Sequence, residues 1–265
     1  MLQQEVCKRL LERLDLVRLS PGSVLDAGCS TGQAAASLAR RYRRASISAL
    51  DLSAAMLSRA RSRQGLFRRF RRICGNLAAL PLAGNSHDLV VSSLALHWCE
   101  NLDQVFAEFA RVLRPGGLLS FATFGPDTLK ELRQAWSAAD HHNHVNLFVD
   151  MHDVGDALIR AGFADPVLDV EQITVHYADL QALVADLRNT GESNVTAGRS
   201  RGLTGVRRHK AFTAAYEAFR VPGGLPATYE VVYGHAWASA PVQRSTPDGE
   251  TLVPLTQLGG RRQSP

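Results

Sequence analysis

No stretch of this sequence comes near the roughly 20 consecutive apolar residues that a membrane-spanning helix needs. Its start carries no signal-peptide pattern, because Glu5, Lys8, Arg9, Glu12 and Arg13 interrupt the apolar residues there. The expectation is a cytoplasmic protein with no membrane partner. Cysteine is scarce: Cys7, Cys29, Cys74 and Cys99 are scattered, with no C-x-x-C pair. That spacing speaks against a disulfide framework and a cysteine metal centre, and it predicts reduced thiols and no metal. No recognised nucleic-acid module occurs, so the net charge of +5 is not assigned to a nucleic acid. Only 3 of the 30 basic residues are lysine. An arginine-rich balance permits an acidic partner, and it fits equally well a compositional bias without function. No internal repeat is visible. A chain of 265 residues, 45% hydrophobic, is enough for one large α/β domain.

What is present is organised around Val24-Leu25-Asp26-Ala27-Gly28-Cys29-Ser30-Thr31-Gly32-Gln33. An apolar run ends in Asp26, small residues follow, and a helical pattern begins at Gln33. This reads as a strand, a tight turn and a helix start. Glycines in such a turn lack Cβ, so the backbone takes φ > 0 and approaches a ligand closely. Amides of the turn and the helix start are free to meet polar ligand groups. The pattern D-x-G-x-S-x-G is neither the dinucleotide G-x-G-x-x-G nor a phosphate loop with Gly-Lys-Ser/Thr. It resembles motif I of the class I S-adenosylmethionine (SAM) methyltransferases, usually D/E-x-G-x-G-x-G, with Ser30 where the middle glycine is usual. The resemblance implies that Asp26, Gly28, Ser30 and Gly32 belong to the cofactor site. The plainer reading is a tight strand–helix turn with no ligand.

Periodicity predicts helices over residues 2–19, 33–41, 54–62, 101–113, 150–161, 178–188 and 204–219. Another runs from about residue 129 to 139, with Asp127 or Thr128 as its cap. Strands are predicted over residues 23–26, 46–50, 73–74, 87–94, 118–123, 166–177 and 227–238. Strands joined by helices make an α/β fold. The expectation is a Rossmann-like, mostly parallel seven-stranded sheet with helices on both faces and a helical substrate-side insertion. One domain is expected over 1–240, with a cofactor half at 1–123 and a substrate-side half at 124–240. Residues 241–265 read as a mobile tail.

Asp51 ends the second predicted strand, 19 positions beyond Gly32. A carboxylate there accepts from both hydroxyls of a ribose; otherwise it is a helix-start carboxylate. Asn76 follows the third strand, where SAM methyltransferases commonly carry an Asp that accepts from the adenine amino group. Its carbonyl is still an acceptor. Leu52, Leu77 and Leu94 complete the expected cofactor set, because ligands of open α/β sheets sit at the carboxyl ends of strands. His97 follows the fourth strand. It reads as a catalytic base or substrate contact, or as a structural ring packed on Trp98. The basic run at 68–72 reads as a solvated face. His141, His142 and His144 fall in a polar loop without metal-ligand spacing.

Arg111-Val112-Leu113-Arg114-Pro115-Gly116-Gly117-Leu118-Leu119 matches a further SAM-methyltransferase pattern, R-x-L-R-P-G-G-x-L. The second half is similar to a narrower family. It carries Thr123-Phe124-Gly125-Pro126-Asp127-Thr128-Leu129, then Asn146-Leu147-Phe148-Val149-Asp150-Met151-His152, Arg201-Gly202-Leu203-Thr204-Gly205 and Gly234-His235-Ala236-Trp237. These segments resemble the malonyl-[acyl-carrier protein] O-methyltransferases of bacterial biotin synthesis. The resemblance implies methyl transfer from SAM to the free carboxylate of a malonyl thioester. Its carrier is an acyl carrier protein or coenzyme A, and the methyl ester primes pimeloyl and biotin synthesis. The enzyme is expected as a monomer. Two departures stand out: Ser30 in the glycine motif, and a family N-terminal stretch whose Tyr-Asp pair closes over the cofactor, where this sequence opens on the helix that follows. Complex I assembly factors that hydroxylate an arginine on a partner subunit are also similar, through Gly191-Glu192-Ser193-Asn194 and Pro226-Ala227-Thr228-Tyr229. A degenerate SAM-binding scaffold is the third reading. A malonyl carboxylate is already a nucleophile, so the expected need is a group to hold it, and an arginine fork suits a carboxylate. Arg199, Arg201, Arg207 and Arg208 flank a polar loop and are the candidates for docking an acidic carrier; a solvated basic loop is the plainer account.

Overall fold

The computed structural model describes residues 2–65, 69–192, 194–195 and 204–239. The order is α1 (Leu2–Arg13), β1 (Ser23–Ala27), α2 (Gln33–Arg41), β2 (Ser46–Asp51), α3 (Ala54–Ala60), β3 (Arg71–Cys74), β4 (His87–Ser93), α4 (Leu102–Val112) and β5 (Leu113–Phe124). Then come α5 (Lys130–Ser137), α6 (Met151–Arg160), β6 (Phe163–Tyr177), α7 (Leu180–Thr190), α8 (Val206–Glu217) and β7 (Leu225–Ala238). The seven strands form one sheet in the order β3-β2-β1-β4-β5-β7-β6. The first five run parallel; β7 is antiparallel to both β5 and β6. This is the Rossmann-like architecture the patterns predicted.

A sheet covered on both faces needs apolar side chains on both. Successive strand residues point to opposite faces, and the central strands use this. Val24, Leu89, Val91, Leu118 and Ala122 enter one core with α1, α2 and α8. Leu25, Val90, Leu119 and Phe121 enter the other with α4 and α6. Gly234 pairs with Phe121 across the β5–β7 ladder. A Cβ there would stand 2.3 Å from the Phe121 ring, so the aromatic covers the glycine. No helix among the described residues is long and apolar enough to cross a membrane.

Three local expectations are corrected. The first helix stops at Arg13, and a 3-10 turn over Leu14–Leu16 carries the buried Leu14 onward. Arg114-Pro115-Gly116-Gly117 is already part of β5, with Gly116 at φ +76°. Neither Asp127 nor Thr128 caps α5: Leu129 holds the cap position at φ +56°, without a side-chain bond. The Thr128 hydroxyl instead donates to the Glu230 carbonyl at 3.0 Å and accepts the Glu230 amide at 3.1 Å. A strand about a hundred residues away outcompetes the local cap. Arg199, Arg201 and the tail at 241–265 lie outside the described residues.

Candidate active site

A cavity of about 790 Å³ opens at the carboxyl ends of β1, β2 and β4. Its floor is the turn after β1. Gly28 has φ +78°, and a Cβ there would lie 2.2 Å from the Ala95 Cβ, so only glycine fits. The amides of Gly28 and Cys29 both donate to the Leu50 carbonyl, at 2.8 and 2.9 Å. The turn is thereby tied to the end of β2. Ser30 is exposed at φ +47°, a left-handed conformation that costs an ordinary residue about 1–2 kcal/mol.

Asp51 and Asp26 hold this turn from two sides. The Asp51 Oδ2 accepts the Ser30 amide at 2.8 Å, and Oδ1 accepts the Ser53 amide at 2.8 Å. Each oxygen keeps a lone pair for a further donor. Asp26 is 1% exposed, and its Oδ2 accepts the Ala35 amide from the first turn of α2 at 2.7 Å. Burial, with the Asp51 charge adding to it, pushes the Asp26 carboxyl up to about 7 against that bond. Cys7 and Cys29 also line the cavity; burial raises both thiols, Cys7 to about 11, so they stand there neutral.

Asp26, Gly28, Ser30, Asp51, Leu52, Asn76, Leu77 and Leu94 all reach the cavity. Gly32 does not. A Cβ on it would stand 2.8 Å from the Ala60 Cβ and 3.1 Å from the Phe70 ring. Its role is close packing of the turn against α3, the task of the last glycine in such turns. The Asn76 Oδ1 accepts the Ala78 amide at 2.9 Å and so keeps one lone pair free. His97 does not line the cavity either. Its side chain is 1% exposed and packs against Trp98 and Phe124.

The expected arginine fork is missing from this cavity: among the described residues no Arg, Lys or His lines it, whereas Asp26, Asp51 and Glu100 do. An acidic, glycine-floored cavity fits SAM, whose sulfonium and amino groups are positive. The Gly28 cradle and the open lone pairs of Asp51 fit its nucleoside end. Among the described residues no group of three His, Cys, Asp or Glu is placed to hold a metal ion. His144 stacks on Trp136 and bonds Asp140 at 2.8 Å.

Residues 25–121 match the family model described as a methyltransferase domain. The malonyl-[acyl-carrier protein] O-methyltransferase of Laribacter hongkongensis (strain HLHK9) is 52% identical over 95% of this chain and 88% of that protein. The enzyme of that name from Methylovorus sp. (strain MP688) is 49% identical over 96% of this chain and 87% of its own. The chain belongs to this family. It is a methyltransferase that uses SAM. Its fold is shared with the geranyl diphosphate C-methyltransferase of Streptomyces coelicolor A3(2), at TM-score 0.53 and 18% identity over 87% of this chain and 78% of that one.

The cavity has walls that periodicity did not reveal. Met56 and Trp98 face it, Gln104 comes from the first turn of α4, and Thr190 from the end of α7. Trp98, 42% exposed beside a strand end, was the one with a readable signal. Thr190 had none, because it arrives from a helix nearly a hundred residues further on.

Proposed function

We propose that this chain transfers the methyl group of SAM to the free carboxylate of a malonyl thioester on an acyl carrier protein. The product is the malonyl methyl ester that primes pimeloyl and biotin synthesis. The observation that supports this most is the Asp51 carboxylate held against the glycine turn, in a chain half identical to enzymes of that name. These relatives favour the malonyl reading over the assembly-factor one.

When bound, SAM would supply an electrophilic methyl to the substrate carboxylate, which is already a nucleophile and asks no proton transfer of the chain. The residues of the chain supply position and shielding. Asp51 takes the ribose hydroxyls, Asn76 the adenine amino group, and the turn at Asp26, Gly28 and Ser30 the methionine end. Leu52, Leu77 and Leu94 pack against the cofactor. Gly32 supports the turn from behind. On this reading the enzyme works in the cytoplasm as a monomer, without nucleic acid or membrane.

Incubation with SAM and malonyl-carrier tests this. The expected product is heavier by one methylene and resists a second methylation. An unmethylated carrier beside bound SAM would overturn the substrate assignment.

A further inference from the structure

β4 ends at Ser93, and the chain passes through Leu94 and Ala95 into a 3-10 turn, Leu96–Trp98. The turn buries the His97 ring in an aromatic box. Trp98 lies 5.2 Å from it between centroids, Phe124 4.8 Å and Phe148 5.9 Å. Both ring nitrogens are buried without a hydrogen bond. An unmade bond of this kind costs about 1–3 kcal/mol, so the arrangement calls for a partner. The polar group that faces it is a carboxylate: Glu192 Oε1 stands 3.6 Å from Nε2, with its side chain 9% exposed. That is the right chemistry at a distance too long for a hydrogen bond.

Both members of the pair adjoin the cavity wall. Ala95 and Trp98 line it on the His97 side, and Thr190 lines it two residues before Glu192. Between them stands Gly191 at φ +83°, the cap of α7, where Glu192 donates its amide to the Leu187 carbonyl at 2.9 Å. Asp51 and Glu100 repel a substrate carboxylate elsewhere in the cavity, and no described arginine lines it.

We propose that His97 receives the free carboxylate of the substrate, and that Glu192 occupies its place until the substrate arrives. The proposal rests on the malonyl reading above. One carboxylate oxygen accepts from an imidazole N–H, and the other points its lone pair at the methyl carbon. That lone pair forms the C–O bond, the C–S pair stays on sulfur, and His97 neither gives nor takes a proton. The methyl ester product has lost its charge and is a weaker acceptor, so Glu192 returns and displaces it.

The full-length enzyme with SAM and malonyl-CoA provides the test. His97→Leu should raise the KM for malonyl-CoA about tenfold or more, the loss of one charge-assisted bond. Its SAM dissociation constant, read by calorimetry, should stay within about twofold, less than half a kcal/mol. His97→Gln, which keeps an N–H, should recover most of the loss. Glu192→Gln should lower the KM, because the competing charge is gone. The inhibition constant of the neutral methyl ester should not follow the His97→Leu change. If SAM affinity and melting temperature fall together with the KM effect, His97 is structural and the proposal fails. It also fails if the wild type makes ester and His97→Leu leaves the KM unchanged. A wild type that binds SAM but makes no ester instead overturns the malonyl reading, and this proposal with it.

Discussion

The Asp51 carboxylate accepts the Ser30 amide at 2.8 Å, so the acid ending β2 fixes the turn that ends β1. The same carboxylate takes the Ser53 amide at the start of α3. One side chain therefore locks the cavity floor to its wall and still presents free lone pairs to a ligand.

Asp51→Ala removes both functions. It should weaken SAM binding by about 1–3 kcal/mol, the cost of leaving ribose hydroxyls unpaired in a partly buried site. Titration calorimetry reads this directly, and an unchanged affinity would take Asp51 out of the site.

Ser30 spends its side chain on a weak contact, with Oγ 3.9 Å from the Met56 sulfur. Its φ of +47° suits glycine better. Ser30→Gly should hold or improve SAM affinity and leave stability within about 1 kcal/mol, since relieved strain is offset by glycine entropy in the unfolded chain. Ser30→Val should lose both, because a β-branched residue is a true outlier at positive φ. A large affinity loss in the glycine variant would mean that the hydroxyl itself contacts the ligand.

Asp26 predicts a pH effect of unusual sign. Burial raises its folded pKa from the ordinary carboxylate value, roughly 4, to about 7. The folded state therefore binds the proton more tightly. Its contribution is full below about pH 4 and is lost as pH rises through about 7, by an upper figure of roughly 4 kcal/mol. Asp26→Asn keeps an oxygen for the Ala35 amide and cannot ionise. The stability gap between variant and wild type should thus grow in the variant's favour from pH 5 to pH 8, as urea unfolding at both values would show. A gap independent of pH would place the charged carboxylate comfortably in the native state.

Arg207 and Lys210 are exposed three positions apart on the first turns of α8, a helix start where cations are disfavoured. Arg208 is less suitable for a test, because it faces Asp140 at 3.8 Å. Charge reversal at Arg207 and Lys210 should slow turnover of malonyl-carrier and flatten its salt dependence, because rim charges act mainly on association rate. Malonyl-CoA turnover should fall less. Equal slowing of both substrates, or of neither, would remove α8 as a carrier-docking surface.

The element order and the cofactor turn were legible in the linear chain because their causes are local. Apolar period, a glycine turn and an acidic strand end act within a few residues, and α2 spans Gln33–Arg41 as its pattern indicated. Asp51 was readable for the same reason, since strand length and turn chemistry place it. Contacts between distant segments were not readable. Gly32 packs on Ala60 and Phe70 and does not line the cavity. Thr128 bonds Glu230 and leaves α5 to a left-handed Leu129. His97 is carried out of the cavity into a box closed by Phe124, Phe148 and Glu192. For Gly32 and Thr128, burial against residues far along the chain decides between two local fates, because a crowded atom or an unmade buried bond costs more than a local cap returns; the His97 ring is placed by its aromatic neighbours, at the cost of two unpaired nitrogens.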